Sequence, residues 1–211
     1  FTLLAFNTAE EVSFEQLSQR SGVGKQTIQR YIEYLEAAFL IKRVFRVDQD
    51  GKRYRRERNF KVYLTNSAMY TGLFGAKDPD EREFGHLVET ALFAQRFHED
   101  ARLNYARWGA EGNEVDLVEL SPALKPMAAL EIKWSDRHVD RPESLKGLMK
   151  FVRQHRLPVA WATTRSRFGK TTIDGSEIRL WPAAALAFHY GARAVQGQLA
   201  DYEAQIQGVT A

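Results

Sequence analysis

At 211 residues, 44% hydrophobic and 27% charged, the chain has the composition of an ordinary globular protein, long enough for one large domain or two small ones. It has no cysteine, which excludes disulfides, thiol chemistry and cysteine-type zinc sites and accords with a reducing cytoplasm, and no apolar run nears the roughly 18 residues of a membrane span. The formal net charge of +3 is uneven: positions 42–58 hold eight basic and three acidic residues, so a basic partner surface belongs to the first third of the chain.

The chain opens on Phe1 in what reads as the middle of a helix, the expectation for a piece of a longer protein. Ser13 is positioned to cap a helix over 14–20, and Ser21-Gly22-Val23-Gly24 turns the chain into a second helix over 25–38. Ile28, Tyr31, Ile32, Leu35 and Phe39 have the spacing of a core face. Residues 40–47 and 61–64 read as two strands around an Asp50-Gly51 turn. Together these predict a winged helix-turn-helix over residues 1–66. On DNA it would set Gln26, Thr27, Gln29 and Arg30 at the major groove and Lys52, Arg53, Arg55, Arg56 and Arg58 on phosphates. The alternative is a protein contact, with the basic side chains covering an exposed ribbon.

Residues 67–83, with Gly72, Gly75 and Pro79, read as a connection. A helix over 84–97 follows, then a strand over 103–108 and a turn over 109–112. The stretch from Asn113 to Lys133 predicts a β-hairpin, both of its prolines lying in or beside the turn. With a strict period of two, Val115 and Leu117 share one face and Asp116 takes the other. On the second strand Leu130, Ile132 and Trp134 oppose Glu131 and Lys133. A helix from Pro142 to His155, strands over 159–163 and 178–181, and a small helix over 183–190 complete a domain over 84–190. Its element order predicts an α/β sandwich around a mixed sheet. Residues 191–211 read as a loose or frayed helix. The five histidines lack the spacing of a zinc site on one helix.

Two carboxylates and an amine on one hairpin face have a joint use. Carboxylates held close together repel unless a cation lies between them, and oxygen ligands suit Mg²⁺ or Mn²⁺. Such a site hydrolyses phosphodiesters, the ammonium stabilising the developing charge. The bland reading of the same residues is an acid and an ion pair in water. Two features weigh against it. Glu89 interrupts an apolar stripe with Leu92 and Phe93, and Glu131 lies in a strand of buried character.

Asp116 followed by Glu131-Ile132-Lys133 resembles the core of the restriction-endonuclease-like PD-(D/E)XK superfamily, with Glu89 at that family's helical glutamate. The resemblance implies Asp116, Glu131, Glu89 and the Ile132 carbonyl around Mg²⁺ or Mn²⁺, and Lys133 as activating base or charge stabiliser. The phrase from Gln26 to Ile41, then Lys61 to Ser67, Gly85 to Glu89 and the Asp116…Lys133 core also resemble, in that order, the C-terminal half of a family of bacterial and archaeal AAA-type ATPases. There an upstream P-loop ATPase precedes a winged helix and a nuclease-like domain. The resemblance implies DNA and that ATPase domain as partners. A non-catalytic module for DNA binding, regulation or protein interaction is the competing expectation.

Overall fold

The structure, a computed structural model, describes residues 1–47, 59–75, 80–97, 103–109 and 113–209, with side chains through 198. Lys52, Arg53, Arg55, Arg56 and Arg58, expected on phosphates, lie outside the described residues.

The first third begins with α1 (Thr2–Phe6), β1 (Glu11–Ser13), α2 (Phe14–Ser21) and α3 (Lys25–Ala37). A reciprocal capping box starts α2: the Ser13 hydroxyl accepts the Gln16 N–H, and the Gln16 side chain accepts the Ser13 N–H. Gly22 ends it in the left-handed region at φ 70°, where a Cβ is costly. Ile28 and Ile32 of α3 are buried. They meet Leu17 and one face of the ribbon formed by β2 (Ile41–Val47) and β3 (Asn59–Leu64). Alternation along β3 sends Phe60, Val62 and Leu64 into this core and Tyr63 into a second one against α5 (Glu81–Phe97). The expected helix pair and two-stranded ribbon are present, with the short strand β1 added before α2.

The ribbon does not end the sheet. β2 pairs in parallel with β4 (Leu103–Trp108), and the sheet continues through β5 (Asn113–Leu120), β6 (Pro126–Glu131), β7 (Val159–Thr164), β9 (Ser176–Pro182) and β8 (Gly169–Ile173). Among the described residues the result is one mixed sheet of nine strands in the order β1-β3-β2-β4-β5-β6-β7-β9-β8. It has helices on both faces, the α/β class expected. One face buries Leu148, Phe151 and Val152 of α7 (Lys146–His155). The other buries Leu92 and Phe93 of α5 with Ala183, Leu186 and Tyr190 of α8 (Ala183–Val209).

Several elements differ from expectation. The 67–83 connection contains α4 (Ala68–Phe74), its first turn held by the Asn66 side chain accepting the Ala68 N–H and its aromatics packed on the first core. α5 begins at Glu81 because Asp80 and Glu83 cap each other's main-chain N–H groups. The expected helix from Pro142 divides: α6 (Arg137–Asp140) precedes a 3₁₀ turn over Pro142–Ser144, and α7 follows from Lys146. The small helix over 183–190 and the tail form the single helix α8, the Ala- and Gln-rich sequence having high intrinsic helix propensity. β1, of three residues, and β8, which buries no side chain, left no period to read.

Candidate functional site

The site forms where β5 and β6 part. Their pairing runs from Leu120↔Pro126 to Leu117↔Leu130, and Asp116 and Glu131 lie just beyond the last pair. The Asp116 side chain enters the fork: Oδ2 accepts the Ile132 N–H at 2.7 Å, in place of a ladder partner. On the far side the Thr163 hydroxyl of β7 accepts the Lys133 N–H and donates to its carbonyl, 2.7 and 2.8 Å, fixing the strand end.

A β-bulge aims Asp116. Opposite β4 the register steps from Asn104↔Val118 to Ala106↔Val115, so β5 carries one extra residue across this interval. The strict alternation expected for the strand is therefore corrected. Val115 and Val118 face the α7 core while Leu117 faces the α5 core, so Val115 and Leu117 do not share a face. The irregularity lies at Asp116, next to the chemistry, where bulges commonly redirect a side chain.

Glu89, Asp116, Glu131 and Lys133 line one open cleft of about 1350 Å³. Glu89, Asp116 and Glu131 are only 8%, 6% and 8% exposed. Lys133 Nζ lies 2.7 Å from Glu131 Oε1 and 3.8 Å from Asp116 Oδ2. Glu131 Oε2 is buried without a hydrogen-bond partner, a costly state for a carboxylate oxygen. Glu89 Oε1 accepts from Tyr63 Oη at 2.5 Å and from Lys61 Nζ at 2.9 Å. Lys61 also lies 2.6 Å from Glu114 Oε1 and 3.6 Å from Asp116 Oδ1. Among the described residues no group of three or more Asp, Glu or His side chains is placed to hold a metal ion. Lys61 and Tyr63 engage the third acid.

The electrostatics follow from burial. It pushes the Glu131 carboxyl up to about 8, with Asp116 adding repulsion and Lys133 opposing it. Burial likewise raises Glu89 to about 7, although Lys61 and Tyr63 favour its anion. Burial works against charge on Lys61 and Lys133, but the surrounding carboxylates outweigh it and raise both above the ordinary lysine range. In the cation-free cluster the carboxylates thus favour the ammonium form of both lysines. At the cleft wall Asp136 accepts the N–H groups of Ser166, Arg167 and Arg165 and the Ser166 hydroxyl. These bonds pull its carboxyl down to about 2 and fix the loop carrying Arg165. Arg137, Lys146 and Arg165 are exposed on the same rim.

His138 Nδ1 and the Ser144 hydroxyl are 2.7 Å apart at this wall. Arg137 donates to His138 Nε2 and Ser144 donates to the Arg141 carbonyl. The imidazole therefore gives its Nδ1 proton to Ser144 and cannot activate it as a nucleophile.

Lys61 was missed in the sequence, yet it carries a signal. It stands between Phe60 and Val62 in a run, 60–64, whose other residues are hydrophobic, and a lysine so placed calls for a buried carboxylate. Gln26, Thr27, Gln29 and Arg30 are exposed on α3, as a DNA-reading face requires. None of the four lines the cleft. Tyr31 and Tyr34 of α3, with Phe39 just beyond it, are exposed as well.

The molecule is thus a mixed α/β protein with a buried acid–lysine cluster open to solvent through one cleft. A family model described as a domain of unknown function, DUF8612, matches residues 1–80, the stretch that contains the helix pair, the ribbon and α4. No curated protein and no solved structure matches the chain. No described helix is long and apolar enough to cross a membrane.

Proposed function

We propose that the chain is a divalent-cation-dependent phosphodiesterase acting on DNA, its C-terminal part related to the PD-(D/E)XK nucleases and the whole related to the C-terminal half of the AAA-type ATPase family. The observation that carries this reading is the convergence of Asp116, Glu131 and Lys133 at a strand fork, with Glu131 Oε2 buried and partnerless in an open cleft.

That orphan oxygen suits a hard cation, and oxygen donors beside it suit Mg²⁺ or Mn²⁺. Asp116, Glu131 and the Ile132 carbonyl would hold it, Glu89 acting as an accessory acid. The cation would supply Lewis acidity and lower the pKa of water bound to it. The chain's own groups do the rest. The Ile132 N–H orients Asp116, and the Lys133 ammonium stabilises charge developing on the phosphoryl oxygens. Arg137, Lys146 and Arg165 on the rim hold the phosphate backbone, and the exposed polar face of α3 contacts the duplex. An upstream ATPase domain as partner rests on the sequence resemblance alone.

The test is nicking of supercoiled plasmid with Mg²⁺ or Mn²⁺. Asp116→Ala and Lys133→Ala each lower the rate by about 100-fold or more, and activity unchanged in either variant rejects this site. A second reading, a protein-interaction or regulatory module, draws on Tyr31, Tyr34 and Phe39, which are 56%, 65% and 80% exposed. It predicts no cleavage and no DNA binding even at low salt.

A further inference from the structure

The geometry points to Lys61 as a protein-borne counter-ion that takes the place of a second cation, so that the cluster accepts a single divalent ion, on its Asp116–Glu131 side. This rests on the phosphodiesterase reading and deepens it.

Lys61 reaches the cluster from β3, a strand of the first third of the chain, and is 4% exposed. Its ammonium lies within 4 Å of Glu89, Glu114 and Asp116 and 5.4 Å from the centre of the Tyr105 ring. No other lysine in the cluster touches Glu89 or Glu114. Lys133 serves the opposite side, beside Glu131 and Asp116. Four carboxylates therefore face two ammonium groups. At the edge Arg107 is shared, 3.8 Å from Glu11 and 4.0 Å from Glu114. If all four acids are ionised, the two ammonium groups leave at most two negative charges, part of which Arg107 covers, and one Mg²⁺ or Mn²⁺ would offset the remainder.

The position of the shortfall is visible too. Glu89 Oε1 is satisfied by Tyr63 and Lys61, and Glu114 Oε1 by Lys61. Among the described residues the buried acceptor without a partner is Glu131 Oε2, on an acid that contacts Lys133. Among the described residues no three acids form a metal group, and Glu89 is held by Lys61. Lys61 is a positioning residue. It sets how many cations the acids can take and touches no substrate.

Counting bound Mn²⁺ by electron paramagnetic resonance on the full chain tests this. Wild type should bind one Mn²⁺, and Lys61→Met, which frees Glu89 and Glu114, should bind two. Lys61→Gln, which keeps a donor for Glu89 without the charge, should also bind two and serves if Lys61→Met does not fold. Two ions in wild type, or one in wild type and in the folded Lys61 variant alike, overturns the inference and leaves the phosphodiesterase reading standing. No Mn²⁺ bound to wild type sinks that reading, and the inference with it.

Discussion

Replacing Glu131 by Gln should make the cation-free protein more stable at alkaline pH while abolishing cation binding. Glu131 is 8% exposed, has one oxygen without a partner, and its carboxyl is raised from 4.5 to about 8, by burial first and by Asp116 second. Between those two values the folded chain holds a proton that the unfolded chain has released. Stability from this group is therefore full below the unfolded pKa and is lost as pH rises through the folded one, at up to about 1.4 kcal/mol per pH unit. Glutamine has no such proton. From about pH 6.5 to about pH 8.5 the wild type should lose roughly 2 kcal/mol more than Glu131→Gln. His86 and His138, lowered by burial, and Glu89, raised to about 7, are present in both proteins, so the comparison isolates Glu131. At the alkaline end the variant should exceed wild type by about 1 kcal/mol, the lost contact with Lys133 being discounted because that side chain is 36% exposed. Urea denaturation in the presence of a chelator, followed by tryptophan fluorescence, reads both quantities. Parallel pH dependences for the two proteins would refute the assignment of Glu131 as a proton-holding buried acid.

Gly147→Ala tests the wall of the cleft: its Cβ would meet the Glu114 carbonyl oxygen at 2.5 Å and the Glu114 nitrogen at 3.3 Å, backbone on both counts. α7 would have to back away from β5, so thermal or urea denaturation should record a loss of about 2–3 kcal/mol. Arg30→Ala on the exposed face of α3 should weaken DNA binding in a fluorescence-anisotropy titration and lower the slope of log K against log salt by about one if Arg30 contacts a phosphate. An unchanged slope would remove Arg30 from the interface.

Glu89, Asp116, Glu131 and Lys133 were legible in the sequence because their oddity is local: acids in apolar stripes and an acid-x-lysine step on a strand. Lys61 was read only as part of a ribbon, since its partners Glu89 and Glu114 lie 28 and 53 positions away and its own strand period says nothing of what it faces. The bulge in β5 was hidden for a related reason. Asn113 to Leu120 alternates acceptably with or without an extra residue, and only the pairing with β4 decides the register. Likewise the pattern of Ile41–Val47 fits a two-stranded ribbon, and its second edge, taken by β4, cannot be inferred from the strand itself.

The parallel pairing of β2 with β4 makes the N-terminal third part of the plate that carries the acids. Exchanging that third for another module would uncover an edge of the remaining strands and withdraw the ammonium that Glu89 and Glu114 share. The exposed face of α3 and the charge balance of the acids are welded into one plate, and either can change only in step with the other.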